Sequence, residues 1–272
     1  NYSVLCSGSN NYGQLGLGNN GITEGYVSLI QEAIVVDEGK DHTCAILIDS
    51  SLWCWGRNHE GQIGDNTTVN RASPLQIDLG SGIDAVAVSA GDDYTCALTH
   101  TGDVMCWGLN VRGQLGDGTT NNSLITTLSN HSTNLRAVSL ITAGRTTCVL
   151  FQNGSVVCWG SKFTVFSDNG PVTSNLHLIN LGDNVTANMI DGVGDHTCVV
   201  TNNGSMQCWG INTNGQLGDG TCSSTIETNC TAENIFPGEG DSPVNVNFSA
   251  GLTVISAATG PHSTCVLMSD DS

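Results

Sequence analysis

Basic side chains are scarce in this chain: 7 Lys and Arg stand against 25 Asp and Glu, for a net charge of −18 over 272 residues. Such a surface repels a phosphate backbone, which excludes nucleic acid as a partner. The acidity has two readings, solubility or a surface for cations or a basic partner. No apolar run approaches 18 residues, so no membrane-spanning helix is expected. There is no initiating Met and no signal-peptide pattern, so the chain is expected to be a mature form or a piece of something longer. No Gly-Lys-Ser/Thr phosphate loop and no EF-hand loop is present, and no nucleophile stands beside a plausible base in a known motif. Enzymatic activity, a cofactor and a metal are therefore not expected. Charged residues make up only 12% and glycine numbers 34, which suits short strands and tight turns better than helices.

What the chain does have is a repeat. HTCAILIDSSLWCWGRNHEGQIG runs from His42 to Gly64, YTCALTHTGDVMCWGLNVRGQLGDGT from Tyr94 to Thr119, TTCVLFQNGSVVCWG from Thr146 to Gly160, and HTCVVTNNGSMQCWGINTNGQLGDGT from His196 to Thr221. A fifth copy is split between STCVLMSDDS at the end of the sequence and SVLCSGSNNYGQLG at its beginning. A period of about 50 residues signals a stacked or ring-shaped repeat protein. Within each unit an apolar strand meets a turn such as Asn153-Gly154 or Asn203-Gly204, a strong hairpin signal, and returns through Cys-Trp-Gly. A Gly-rich loop and a linker then lead to the next inner strand. Two units depart from the pattern: the Gly-Gln-Leu-Gly loop is missing after Gly160 (residues 161–175), and an insertion runs from Cys222 to about Asp241. Both are candidate binding elements as well as tolerated loop changes.

Twelve cysteines are present. Cys44/Cys54, Cys96/Cys106, Cys148/Cys158 and Cys198/Cys208 each sit on the two arms of one expected hairpin, within disulfide reach. Zinc ligands cluster at two- to four-residue spacings, unlike this pattern. Paired cysteines imply an oxidising, extracellular or cell-surface compartment. Cys222 and Cys230 can close a small loop of their own. Cys265 holds the first-Cys position and Cys6 the second, so their pairing would lock a ring; a contact between Cys265 and Cys6 of a neighbouring copy would instead build a fibre.

These motifs, G-x-x-H-T-C-A-L, G-x-V-x-C-W-G and N-x-x-G-Q-L-G-D-G-T, resemble the regulator-of-chromosome-condensation repeat family over essentially the whole chain, in a Cys-bearing form similar to secreted or surface repeats. The resemblance implies an all-β propeller of four-stranded antiparallel blades, commonly seven in the family. Five repeats are counted here, giving a single domain over residues 1–272 closed by two halves of one blade. The family's founding nuclear member is a nucleotide-exchange factor that binds chromatin. Neither activity is carried over to this acidic, Cys-paired chain, because fold does not fix function.

The remaining side chains have mostly structural readings. His42 and His196 share a position with Tyr94, Thr146 and Ser263, which suits packing or local hydrogen bonding. Trp55, Trp107, Trp159 and Trp209 share another, expected to pack between blades, with sugar stacking as the alternative. Asp117, Asp219 and Asp65 are expected to bond local backbone amides. Asn-x-Ser/Thr sequons favour glycosylation at Asn66, Asn121, Asn130, Asn184 and Asn247. The expected function is a non-enzymatic structural or interaction unit of a cell-surface or filamentous glycoprotein assembly, with protein partners, self-association or glycans. The alternative is a soluble inhibitor or lectin-like module using one propeller face.

Overall fold

The computed structural model describes residues 3–130, 135–160, 176–194, 196–212, 214–220, 243–246, 248 and 252–270. The irregular unit at 161–175, the insertion at 222–241 with Cys222 and Cys230, and Asn247 lie outside the described residues. All regular elements within them are β-strands. Four complete blades follow one another: β3–β6 (Ala33–Glu38, His42–Leu47, Leu52–Gly56, Arg71–Ile77), β7–β10 (Ala85–Ala90, Tyr94–Thr99, Val104–Gly108, Ser123–Leu128), β11–β14 (Ala137–Ala143, Thr146–Phe151, Val156–Gly160, His177–Leu178) and β15–β18 (Ala187–Val193, His196–Thr201, Met206–Gly210, Val244–Asn245). They are flanked by two half-blades, β1–β2 (Leu5–Ser7, Glu24–Tyr26) and β19–β20 (Leu252–Gly260, Ser263–Asp270). The propeller architecture and its five-repeat count are thus present as four sheets and two halves.

The second strand of each complete blade is buried along its whole length, as HTCAIL, YTCALT, TTCVLF and HTCVVT show. A strand covered on both faces has no need of alternation, which is why these segments read as continuous apolar or small residues. The hairpin that follows is set by local chemistry. In the first blade Asp49 Oδ1 accepts from the Ser51 amide at 3.0 Å and Ser50 adopts φ 65°. In the third, Asn153 accepts from the Ser155 amide at 3.0 Å and Gly154 adopts φ 79°. These turns bring Cys44 opposite Cys54, Cys96 opposite Cys106, Cys148 opposite Cys158 and Cys198 opposite Cys208. All four pairs are bonded, with Cα atoms 4.1 Å apart, a spacing of the closer type of opposed antiparallel pair.

The core is divided into packets, each shared by two successive blades. One packet joins Cys44, Ile46, Leu52 and Cys54 of the first complete blade to Ala85, Val88, Ala97 and Trp107 of the second. The same arrangement joins Cys96 and Leu98 to Leu140 and Trp159, and Cys148 and Leu150 to Ile190 and Trp209. A backbone clamp recurs at two junctions: Asp37 Oδ2 accepts from the Ala90 amide at 2.7 Å, and Asp191 Oδ2 accepts from the Thr259 amide of β19 at 2.6 Å.

Among the described residues the expected closure of the ring is not formed: strand β1 pairs with β2 alone, β20 pairs with β19 alone, and Cys6 and Cys265 are free thiols. A groove of about 1000 Å³ lies between β1 and β3, lined by Leu5, Cys6, Val36 and Glu38 among others, and the β19–β20 hairpin does not enter it.

Candidate interaction face

At one end of the blades the Asn-x-x-Gly-Gln-Leu-Gly loops fold around a buried asparagine. Asn58 Nδ2 reaches Asp65 Oδ1 at 2.9 Å and the Thr67 carbonyl at 3.0 Å, while its Oδ1 accepts from the Ile63 amide at 2.9 Å. Asn110 repeats this with Asp117, Thr119 and Leu115, and Asn10 with Asn19, Ile22 and Leu15. Asp65 and Asp117 also accept from the amides of Thr67 and Thr119, so the expected bonding of these carboxylates to local amides is present. Sequence reasoning missed the asparagine. Its signal was the invariance of Asn10, Asn58, Asn110 and Asn212 across four loops whose next residues vary.

Each loop also grips the following blade. The Gln62 carbonyl accepts from Thr95 Oγ1 at 2.8 Å and Trp107 Nε1 at 2.9 Å. Gln14 does the same for Thr43 and Trp55, and Gln114 for Thr147 and Trp159. The indole lies so close that a Cβ on Gly64 would fall 2.7 Å from Trp107 Nε1, at a residue whose φ is already +86°. All four tryptophans are packed in the core between blades, and Trp55, Trp107 and Trp159 also anchor them by a hydrogen bond.

The two histidines complete a relay across blades. His42 Nε2 lies 2.8 Å from Thr95 Oγ1, and His196 Nε2 lies 2.8 Å from Thr264 Oγ1. Each threonine gives its one hydroxyl proton to a Gln carbonyl, so it accepts from the imidazole, which fixes the Nε2–H tautomer. Tyr94 stands at the same position and meets Thr147. Burial, with Arg57 nearby, holds the His42 pKa down at about 4. An unfolded histidine takes up its proton near pH 6.5. The folded chain refuses that proton until about pH 4, so the stability His42 supports is present above pH 6.5 and lost as pH falls through this window. His42→Tyr, which copies the residue found at Tyr94, should flatten the fall in unfolding free energy between pH 6.5 and 4. Parallel urea titrations check this, and an unchanged difference between wild type and variant across that range would refute it.

What the loops leave outward is their variable tips. Tyr12 and His59, from consecutive loops, meet edge to face at 5.7 Å. Arg57 lies 5.7 Å over the Tyr12 ring and is ion-paired with Asp93. Asn122 donates to Glu60 at 2.7 Å, and Val111 is exposed at the tip of the next loop. Tips of neighbouring blades thus form one continuous surface. No group of three or more His, Cys, Asp or Glu side chains that could hold a metal ion exists among the described residues. No helix among them is long and apolar enough to cross a membrane. The sequon residues Asn66, Asn121, Asn130 and Asn184 are all exposed.

Profiles of the regulator of chromosome condensation (RCC1) repeat match residues 49–98 and 101–151, and a second profile of that repeat matches 35–62, 85–114 and 190–216. Together these cover more than half of the chain. The Ultraviolet-B receptor UVR8 of Arabidopsis thaliana is 30% identical over 132 residues, covering 48% of this chain and 30% of that protein. Protein RCC2 of Mus musculus is 40% identical over 77 residues, covering 28% and 15%. The match to the probable E3 ubiquitin-protein ligase HERC4 of Homo sapiens is 32% over 126 residues, covering 44% and 12%. The chain thus spans less than a third of the length of these curated relatives. Among solved structures, human WBSCR16 superposes with a TM-score of 0.80 at 20% identity, covering 98% of this chain and 68% of that one. Yeast RCC1 (Prp20), solved bound to Kap60, superposes at 0.74 with 17% identity, covering 97% and 63%. The blades therefore share the fold of propellers whose chains are longer than this one.

Proposed function

Because the chain belongs to the regulator of chromosome condensation (RCC1) repeat family, we propose that it is a non-enzymatic protein-interaction module of an extracellular or cell-surface assembly. The observation that carries this reading is a division of labour within the repeat. The recurring polar residues, Asn, Gln, Thr, Asp and Trp, are consumed in holding the loops and joining the blades. The positions that change from blade to blade lie at the tips of the loops, where His59 and Val111 are exposed and Tyr12 and Glu60 half-buried. A rigid frame with variable tips is how a propeller presents a binding surface. The yeast protein was solved with Kap60, and its structure was described together with binding to Gsp1p and histones. Protein recognition is what we extend to this chain, without those partners. Four buried disulfides support an oxidising compartment, and the net charge of −18 favours a basic partner surface.

Photo-crosslinking in the native material tests the reading. A benzophenone side chain at position 59 or 111 should trap a discrete protein partner, whereas one at Ile125, exposed on the outer strand β10, should not. No adduct from 59 and 111, or equal labelling from 125, would overturn it.

A further inference from the structure

The junction between the second and third complete blades lacks a carboxylate that the two junctions before it possess. In each loop the glutamine side chain folds the same way: Gln14, Gln62 and Gln114 accept through Oε1 from the amide two residues earlier, at 3.0, 3.0 and 2.9 Å. This leaves Nε2 to point at the residue that precedes the second strand of the next blade. Gln14 Nε2 donates to Asp41 Oδ1 and Gln62 Nε2 to Asp93 Oδ1, both at 3.3 Å. Asp93 is also ion-paired with Arg57, so its carboxylate sits between an amide donor and a cation. At the next junction the corresponding residue, before Thr146, is Arg145.

The backbone frame around Arg145 is unchanged. Thr146 opposes Gly160 as His42 opposes Gly56 and Tyr94 opposes Gly108. Those three glycines crowd the carbonyls of Arg145, Asp41 and Asp93 alike. The Gln114 carbonyl still accepts from Thr147 and Trp159. The chemistry is what differs. Gln114 is fully buried and its Nε2 has no hydrogen-bond partner, a state that folded chains avoid. Arg145 is exposed and makes no ion pair among the described residues. Leu109 stands where Arg57 balances Asp93. The cation has thus moved to the other side of the junction, and the anion between the two donors is gone.

We propose that this junction is a carboxylate-binding site: a carboxylate from outside the chain accepts from Gln114 Nε2 and pairs with the Arg145 guanidinium, in the place that the Asp93 carboxylate fills one blade earlier. One amide donor and one guanidinium match the two oxygens of a carboxylate, and the chain's net charge of −18 opposes more highly charged anions. The site adjoins the loop tip that carries Val111 and Arg112, through the Arg112 amide that holds Gln114. It rests on the loop-tip reading only for the source of the carboxylate, a partner's Asp or Glu side chain as against a free small acid. On so acidic a surface an incoming carboxylate is repelled elsewhere, so a partner's acidic side chain seated here would also fix its register.

Nuclear magnetic resonance of the side-chain amides of the full chain tests this, with acetate as the probe. Sodium acetate should shift the Gln114 Nε2 protons saturably, while sodium chloride at equal ionic strength leaves them in place. The Gln62 Nε2 protons, already bonded to Asp93, should stay still in both. Arg145→Asp, a change at an exposed residue, places a carboxylate where Asp41 and Asp93 have theirs. In that variant the Gln114 protons should start near the Gln62 position, and acetate affinity should fall by at least roughly tenfold. Arg145→Ala should weaken acetate binding too, but leave the Gln114 protons at their unbound position and melt below Arg145→Asp. No response to acetate in wild type, or equal responses of Gln62 and Gln114, would overturn the proposal. So would a Gln114 shift that answers to Asp92→Asn instead of acetate. Asp92, whose amide donates to the Gly144 carbonyl, would then be the chain's own source of the carboxylate. Crosslinking from position 111 separates the two external sources. Adducts lost in Arg145→Asp identify a partner's carboxylate, and adducts that persist in it identify a free small acid. The absence of any adduct refutes the loop-tip reading and leaves an acetate-responsive site standing.

Discussion

Replacing Trp107 by alanine should cost the propeller about 3–5 kcal/mol, the range for removing a large buried aromatic. Trp107 is fully buried, fills the packet shared by the first two complete blades, and presses on Gly64 of the preceding loop. Its indole N–H also anchors the Gln62 carbonyl, and that bond is the smaller part of the effect. The carbonyl keeps Thr95 as a donor, so Trp107→Phe, which retains most of the apolar area, should cost only about 1 kcal/mol for the hydrogen bond plus the modest loss of volume. Urea denaturation followed by circular dichroism separates the two variants. A loss below about 1 kcal/mol for the alanine variant would show that the packets between blades contribute little to the cohesion of the array.

Removing one disulfide is the second large effect. Each bond closes a hairpin over a sequence separation of 10, which the chain-entropy model values at about 3 kcal/mol. The double variant Cys96→Ala and Cys106→Ala should lower the unfolding free energy by about that amount, since alanine adds no buried hydroxyl in need of a partner. Full reduction removes all four constraints at once and should leave the array unfolded, or largely so, at ambient temperature. The measurement is thermal melting with and without a strong dithiol reductant. Equal melting temperatures would mean that packing alone holds the hairpins, and the argument for an oxidising compartment would lose its physical basis.

The hairpins were legible because their determinants are local. Cys96 and Cys106 are ten positions apart on either side of a turn, and any antiparallel register consistent with that turn sets them opposite each other. The tryptophans were legible for a related reason: a bulky side chain recurring next to Cys and Gly in each unit needs the same kind of neighbour each time. The closure of the ring was not legible. Whether Cys6 reaches Cys265 depends on the angle between blades, and that angle is summed from many small packing choices such as Val88 against Ile46, none of which leaves a periodic mark. The role of Asn58 was hidden for another reason. Its partners, Asp65, Thr67 and Ile63, lie five to nine residues away in an irregular loop, where neither a helical nor a strand period applies. His42 lay between these cases. Its exchange with Tyr94 at an equivalent position pointed to hydrogen bonding, but the acceptor, Thr95, belongs to the next blade.

The division of the core into shared packets bears on how such a chain changes over generations. A duplication or deletion that begins and ends at corresponding points, such as the stretch from Cys44 to Cys96, adds or removes one blade together with one packet and regenerates the same junction at the seam. Asp37 and Asp191 perform the same backbone clamp at two separate junctions, so those junctions are alike in kind. Blade number is therefore a quantity that recombination can alter in whole steps without passing through an unfoldable intermediate, while the tips of the loops diverge independently on a frame that does not have to be reinvented.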